Sequence, residues 1–215
     1  MARPVGVKNQ DHQEKRVALL EKLTDYVLTE NVFVPSLRQM AIAAETSEPT
    51  LKHYFENRTG LVLALLKHFH DSVAPLRAAL GQAFPTIHEA IEDYTEIAKQ
   101  MSKDSRYINA HVFGIRESLI DVDIFAAYVR YLVEPGTAAV AERLVKSKGG
   151  PVNYSTARVA ANMIITNAST MAFRKVILGD KDPVPIDYDR QFSLMANWML
   201  NGLANDPEGT GSGDA

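Results

Sequence analysis

The 215-residue chain contains no cysteine. Disulfides, thiolate zinc sites and cysteine nucleophiles are thereby excluded. The absence fits a reducing compartment, so a cytoplasmic protein is expected. Long apolar runs are missing too. The longest, Leu61–Leu66 and Ile124–Val129, have six residues each, against the ~18 that a membrane span needs. No apolar stretch near the N-terminus reads as a signal peptide, and no membrane partner is expected. Positive charge is scarce. The formal net charge is -3, and residues 1–60 hold eight basic and eight acidic side chains. That is a poor basis for tight non-specific DNA binding. Strand-like alternation of apolar and polar residues is absent throughout.

Catalytic patterns are missing as well. Among the six histidines, His68 and His70 are two apart and face different directions on a helix. His12, His88 and His111 have no partner at ligand spacing, and no HExxH occurs. The late GTGSG run neither follows a strand nor opens a helix, so it is no phosphate loop. No Ser-x-x-Lys or Gly-x-Ser-x-Gly pattern is present. The expectation is therefore no catalytic residue, no metal and no cofactor, hence no enzyme.

What the chain has in quantity is helical periodicity. Hydrophobic residues make up 46% and charged residues 23%, which are globular proportions. From Asp11 to Asn31, Val17, Leu20, Leu23 and Val27 recur at helical spacing. Leu61, Leu65, Phe69 and Val73 form a second stripe, which Pro75 kinks or ends. Helical patterns follow at 86–101, 105–118 and 121–147, then Tyr154–Leu178 and Asp187–Leu203. The fold class is all-α. A three-helix N-terminal domain over residues 1–57, with 1–10 as a mobile arm, continues into a larger helical bundle over 58–205. Residues 206–215 carry no apolar anchor and read as a disordered tail.

The stretch Ser36–Phe55, SLRQMAIAAETSEPTLKHYF, has the most specific layout. Ser36 is an N-cap type residue before Leu37, Met40, Ala41 and Ala44. Glu45, Thr46 and Ser47 break the pattern. Ser47 is a second N-cap candidate, and Pro49 falls in the following first turn, where a missing N–H does no harm. Two short helices joined by a tight turn are the plan of a helix-turn-helix reader, whose second helix lies in the DNA major groove. An ordinary helical hairpin with a polar surface fits the same spacing. On the second helix Thr50, Lys52, His53 and the tip of Tyr54 are free to face outward, and each can donate to phosphates or base acceptors. Asn57 is an N-cap candidate for the next helix. Arg58 at that helix start is either a phosphate contact or the partner of a carboxylate such as Glu56.

The segment from Ser36 to Leu61 resembles the DNA-binding signature of the tetracycline-repressor (TetR) family of bacterial transcription regulators. The matching residues are Leu37 to Ala41, Ala43 and Ala44, Ser47, Pro49 to Leu51, His53 to Phe55, Arg58 and Leu61. The resemblance covers roughly residues 11–66. Glu45 stands where the family commonly has glycine, and Lys52 where it commonly has tyrosine. The resemblance implies a repressor that binds a pseudo-palindromic double-stranded operator as a homodimer and is released by a small-molecule effector. The candidate DNA contacts are Arg38, Gln39, Ser47, Thr50, Lys52, His53, Tyr54 and Arg58.

Two further sets come from the second half of the chain. Asn162 and Thr166 interrupt an apolar helix on one face, and Tyr107, Phe113, Phe125 and Tyr128 belong to an aromatic-rich stretch. Together they are the candidate lining of an apolar effector pocket; core aromatics and a dimer-facing polar stripe are the alternative. Ala161, Ala168, Phe192, Met195, Trp198 and Met199 are the candidate dimer interface. The competing reading of the whole chain is a helical adaptor, or an enzyme of unknown chemistry, that does not bind DNA.

Overall fold

A computed structural model describes residues 5–29, 34–151, 153–184 and 186–205. The predicted tail, 206–215, and residues 1–4 of the predicted arm lie outside them. The described residues are helical, with no strand among them, as the missing alternation requires. None of their helices is long and apolar enough to cross a membrane. The helices are α1 (Val5–Thr29), α2 (Leu37–Ala43), α3 (Glu48–Phe55), α4 (Arg58–Ser72), α5 (Ala74–Leu80), α6 (Ile87–Met101), α7 (Ser105–Ser118), α8 (Val122–Tyr128), α9 (Glu134–Lys146), α10 (Tyr154–Leu178) and α11 (Tyr188–Ala204). Helix α1 begins at Val5, so residues 5–10 are helical and not an arm.

Local chemistry sets most of these ends. Thr86, Asp121, Asn153 and Asp187 each accept a backbone N–H with their side chains at the start of α6, α8, α10 and α11, satisfying donors that the first turn leaves open. The stretch 121–147, which reads as one helical pattern, is divided. A π-helical turn, Val129–Val133, separates α8 from α9. Pro135 has no N–H for the Tyr131 carbonyl one turn back. That oxygen instead accepts from the His70 ring, 2.8 Å away.

The chain forms two compact units. One comprises Met1–Ser72 and Asn109–Leu132, the other Val73–Ile108 and Val133–Ala215. In the first, Leu23 of α1, Met40 of α2, Leu51 of α3, Leu61, Val62, Leu65 and Leu66 of α4, and Phe113 and Ile124 further on are fully enclosed. In the second, α5, α6, α9, α10 and α11 share a core that includes Leu80, Ile91, Tyr94, Val140, Leu144, Ile164 and Phe192. Burial pushes the Tyr94 phenol well above its usual range, and the Tyr107 phenol adds to that shift.

The second unit holds one feature that apolar periodicity could not reveal. Arg143 is 0% exposed. It donates to the Ala79 and Leu80 carbonyls at 2.6 and 2.7 Å, and to Ala90 O and Asp93 at 3.0 and 2.7 Å. Its guanidinium also lies 4.8 Å from the centre of the Phe84 ring. The buried charge is thus paired and hydrogen-bonded, the condition under which such burial is tolerated. It ties the open C-terminal carbonyls of α5 to α6 and α9.

Candidate nucleic-acid interface

The reader is assembled by caps. At the start of α2, the Ser36 hydroxyl accepts from Gln39 N–H, and Gln39 Oε1 accepts from Ser36 N–H at 2.9 Å. This is a reciprocal capping box. At its end, Thr46 N–H bonds the Ala41 carbonyl and Glu45 N–H the Ile42 carbonyl, at 2.9 and 3.0 Å. That pair defines a Schellman motif whose left-handed position usually takes glycine. Glu45 occupies it with φ 53°. Its carboxylate meets Lys22 of α1 at 2.7 Å, a hydrogen bond that holds the carboxyl below its usual range. The tight turn therefore survives without glycine.

Helix α3 begins at Ser47, whose hydroxyl accepts from Thr50 N–H and lies 2.8 Å from the Thr50 hydroxyl. Leu51 and Phe55 are its buried side. The Arg16 guanidinium of α1 lies 5.1 Å from the Phe55 ring centre. Lys52 and His53 are exposed in the last turn, and Tyr54 is half-buried. The His12 ring of α1 packs on Tyr54 at 4.6 Å, tilted by 36°, and meets His53 edge-on at 5.5 Å. Two short helices that could not stand alone are thus braced by the long one.

The predicted contacts divide accordingly. Arg38 and Lys52 are exposed and have no side-chain partner among the described residues. Gln39, Ser47 and Thr50 have hydroxyl or amide groups committed to capping. Arg58 pairs with a carboxylate, as its second reading expects, but with a buried one distant in sequence. Its Nε donates to Pro35 O at 2.9 Å and its Nη2 to Glu117 at 2.8 Å, and Glu56 is not its partner. Beside it Thr59 donates to Asp121 at 3.1 Å. Asn57 does cap α4, accepting Gly60 N–H.

The predicted effector residues fall in both units. Phe113 is buried edge-on against Phe69. Tyr128 is buried, 3.1 Å from His111 Nδ1, and lies against Gly114 so closely that a Cβ there would sit 2.4 Å from its ring. Phe125 is 51% exposed. In the second unit Tyr107 is half-buried, while Asn162 and Thr166 face outward in a shallow depression with Arg174 and Gln191. The predicted interface residues also separate. Ala161 and Phe192 lie in the core of the second unit itself. Met195, Trp198 and Met199 line an open apolar groove along α10 and α11 with Val159, Met163 and Leu194. Ala168 is half-buried. Small or aromatic character marked these residues, but only the helix phase decides which side they face.

His12, Glu117 and Arg143 were not foreseen. Each is a single polar residue inside an ordinary helical pattern, and its partner is distant in sequence. Among the described residues no three metal-ligating side chains converge.

No protein-family model matches the sequence, and no curated protein does. The fold, however, is that of solved TetR-family regulators. A protein of Rhodococcus sp. assigned to that family superposes with a TM-score of 0.63 at 13% identity, over 89% of this chain and 99% of that one. The fatty acid degradation regulator FadR of Bacillus halodurans gives 0.59 at 16% identity, over 88% and 96%. AlkX of Dietzia sp., a TetR-family repressor implicated in biodegradation of n-alkanes, gives 0.50 at 22% identity, over 87% and 94%.

Proposed function

We propose that the chain is a TetR-type transcriptional repressor that binds a pseudo-palindromic operator as a homodimer and is released by a small, mostly apolar effector. The observation that carries this reading is the reader unit. Helix α3 is closed at its N-terminus by Ser47, fastened by Leu51 and Phe55, and presents Lys52 and His53 to solvent. Lys52 is the cation on that face, and Arg38 projects from α2. In a twofold dimer, two such helices one DNA turn apart, ~34 Å, fit successive major grooves. The open face of α10 and α11 supplies the dimer contact in this reading. An effector acts only by preferring one spacing of the readers over another, and typical couplings are about 1–3 kcal/mol. Two regulators of the same fold, one implicated in biodegradation of n-alkanes and one a regulator of fatty acid degradation, are in keeping with an apolar effector.

The test is binding to duplexes that the protein itself enriches from sheared DNA of its host. Lys52→Ala should weaken binding across sequences and reduce the slope of affinity against salt by about one counterion per subunit, about two per dimer. Failure of the unaltered protein to enrich any duplex would overturn the reading.

A further inference from the structure

The neutral reader poses a physical problem. Binding a polyanion needs local positive charge, yet residues 1–60 carry equal numbers of basic and acidic side chains. The guanidinium of Arg58 is turned to Glu117 and Pro35, and Lys22 is paired with Glu45. Two histidines, His12 and His53, are the only ones in that stretch, and the fold puts them together. Their ring centres are 5.5 Å apart, in an edge contact, and both rings meet Tyr54, at 4.6 and 5.1 Å.

We propose that His12 belongs to the DNA-binding surface: with His53 it packs against Tyr54, the three rings in mutual contact, and takes up protons as the duplex binds. The inference rests on the DNA-binding reading above. The two ring contacts hold the half-buried phenol, so its hydroxyl is presented in one place. Imidazole is the side chain that gains charge between about pH 8 and pH 5. A phosphate backbone nearby favours the imidazolium, and by linkage the protonated protein binds DNA more tightly. Affinity therefore rises as pH falls and declines as pH rises.

The surroundings do not cancel this. On α1, Asp11 precedes His12, while Lys15 and Arg16 lie one turn on. On α3, Lys52 and Glu56 flank His53. Helix α4 packs on α3 with its first cation, Arg58, held by Glu117. On α2, Glu45 is held by Lys22, and Arg38 adds a further cation. Glu14 on α1 and Glu48 on α3 add two carboxylates, so these charges balance before either imidazole is protonated.

The experiment measures affinity by fluorescence anisotropy at pH 6, 7 and 8, at constant ionic strength. The full chain is used with a duplex it has enriched from sheared host DNA, and a random duplex serves as control. A pKa raised by one unit on binding is worth up to a factor of ten for each imidazole, so with both contributing the wild-type affinity should fall at least about tenfold from pH 6 to pH 8. His12→Phe preserves a stacking ring but cannot take a proton, and should flatten the profile in part. His12→Phe with His53→Phe should remove it, and circular dichroism should show both variants folded. His12→Ala should bind more weakly at every pH than His12→Phe. A wild-type affinity independent of pH, or a slope that survives in the double variant, overturns the proposal while leaving DNA binding intact. If the wild type enriches and binds no duplex, the DNA-binding reading falls and this proposal with it.

Discussion

Arg58 Nη2 lies 2.8 Å from Glu117 Oε1, and Glu117 is 1% exposed. The same guanidinium holds the Pro35 carbonyl just before α2. One cation therefore fastens the entry to the reader, the start of α4 and the end of α7. The second carboxylate oxygen, Oε2, has no hydrogen-bond partner among the described residues, so the ion pair is what offsets the cost of burying Glu117 there. Arg58→Ala would leave that charge buried and uncompensated. It should lower the unfolding free energy by about 3 kcal/mol, the low end for a broken buried pair. Glu117→Gln, which keeps an acceptor for Arg58, should cost less. Urea unfolding of the two variants checks the order; equal stability of Arg58→Ala and wild type would contradict it.

Gly114 and Tyr128 pack at a distance that leaves no room for a side chain. Glycine inside a helix normally costs about 1 kcal/mol relative to alanine. Gly114→Ala should nonetheless destabilise, because the new Cβ would sit 2.4 Å from the Tyr128 ring. Overpacking of this kind costs typically ~1–3 kcal/mol. Thermal melts should show a lower midpoint for Gly114→Ala, and adding Tyr128→Leu should recover part of the loss. A higher midpoint for the single variant would mean that the ring moves aside freely.

His111 is buried beside the Tyr128 hydroxyl, and burial alone pushes its pKa down to about 4 from 6.5. The folded state thus resists a proton that the unfolded chain accepts. Above about pH 6.5 both states are neutral there and the stability is complete. Between 6.5 and 4 the unfolded state binds more protons, so stability falls as pH falls, by up to about 3 kcal/mol. His111→Gln cannot titrate and should lose less stability across that window. Denaturant midpoints at pH 7, 5.5 and 4.5 for both proteins decide it, and parallel curves would remove His111 as the cause.

Sequence legibility followed the range of the interaction. Helix α10 was readable to both ends, because Asn153 caps one and Gly179, at φ 51°, ends the other. The two reader helices were legible for the same local reason. Glu45 stands where such a turn usually takes glycine, and its bond to Lys22, 23 residues away, has no local signal. Long-range polar pairs escaped altogether. Nothing near Arg143 signals that its partners lie in α5 and α6, and nothing near Arg58 points to Glu117, 59 residues later. Periodicity also assigns a residue to an apolar face without saying which neighbour that face meets. Phe192 was grouped with Trp198 for this reason, although one is core and the other open to solvent.

That division gives the assembly a test with two arms. Trp198 is 69% exposed and Met163 66% exposed, and they line the same groove along α10 and α11. Large apolar side chains at such exposure on facing helices form the kind of patch that association covers. Phe192, 1% exposed, already belongs to the core of one chain. If two copies pair through this face, Trp198→Glu and Met163→Glu place uncompensated charge in the interface. They should convert dimer to monomer in light scattering at micromolar concentration, with helical content retained. Phe192→Ala should behave differently, removing core packing at a cost of about 3–5 kcal/mol. Its effect should appear in unfolding curves, with dimer signal lost only as the chain unfolds. Dimers that persist in both glutamate variants would place the contact elsewhere. A wild type that is monomeric throughout would remove the twofold arrangement on which the spacing of the readers depends.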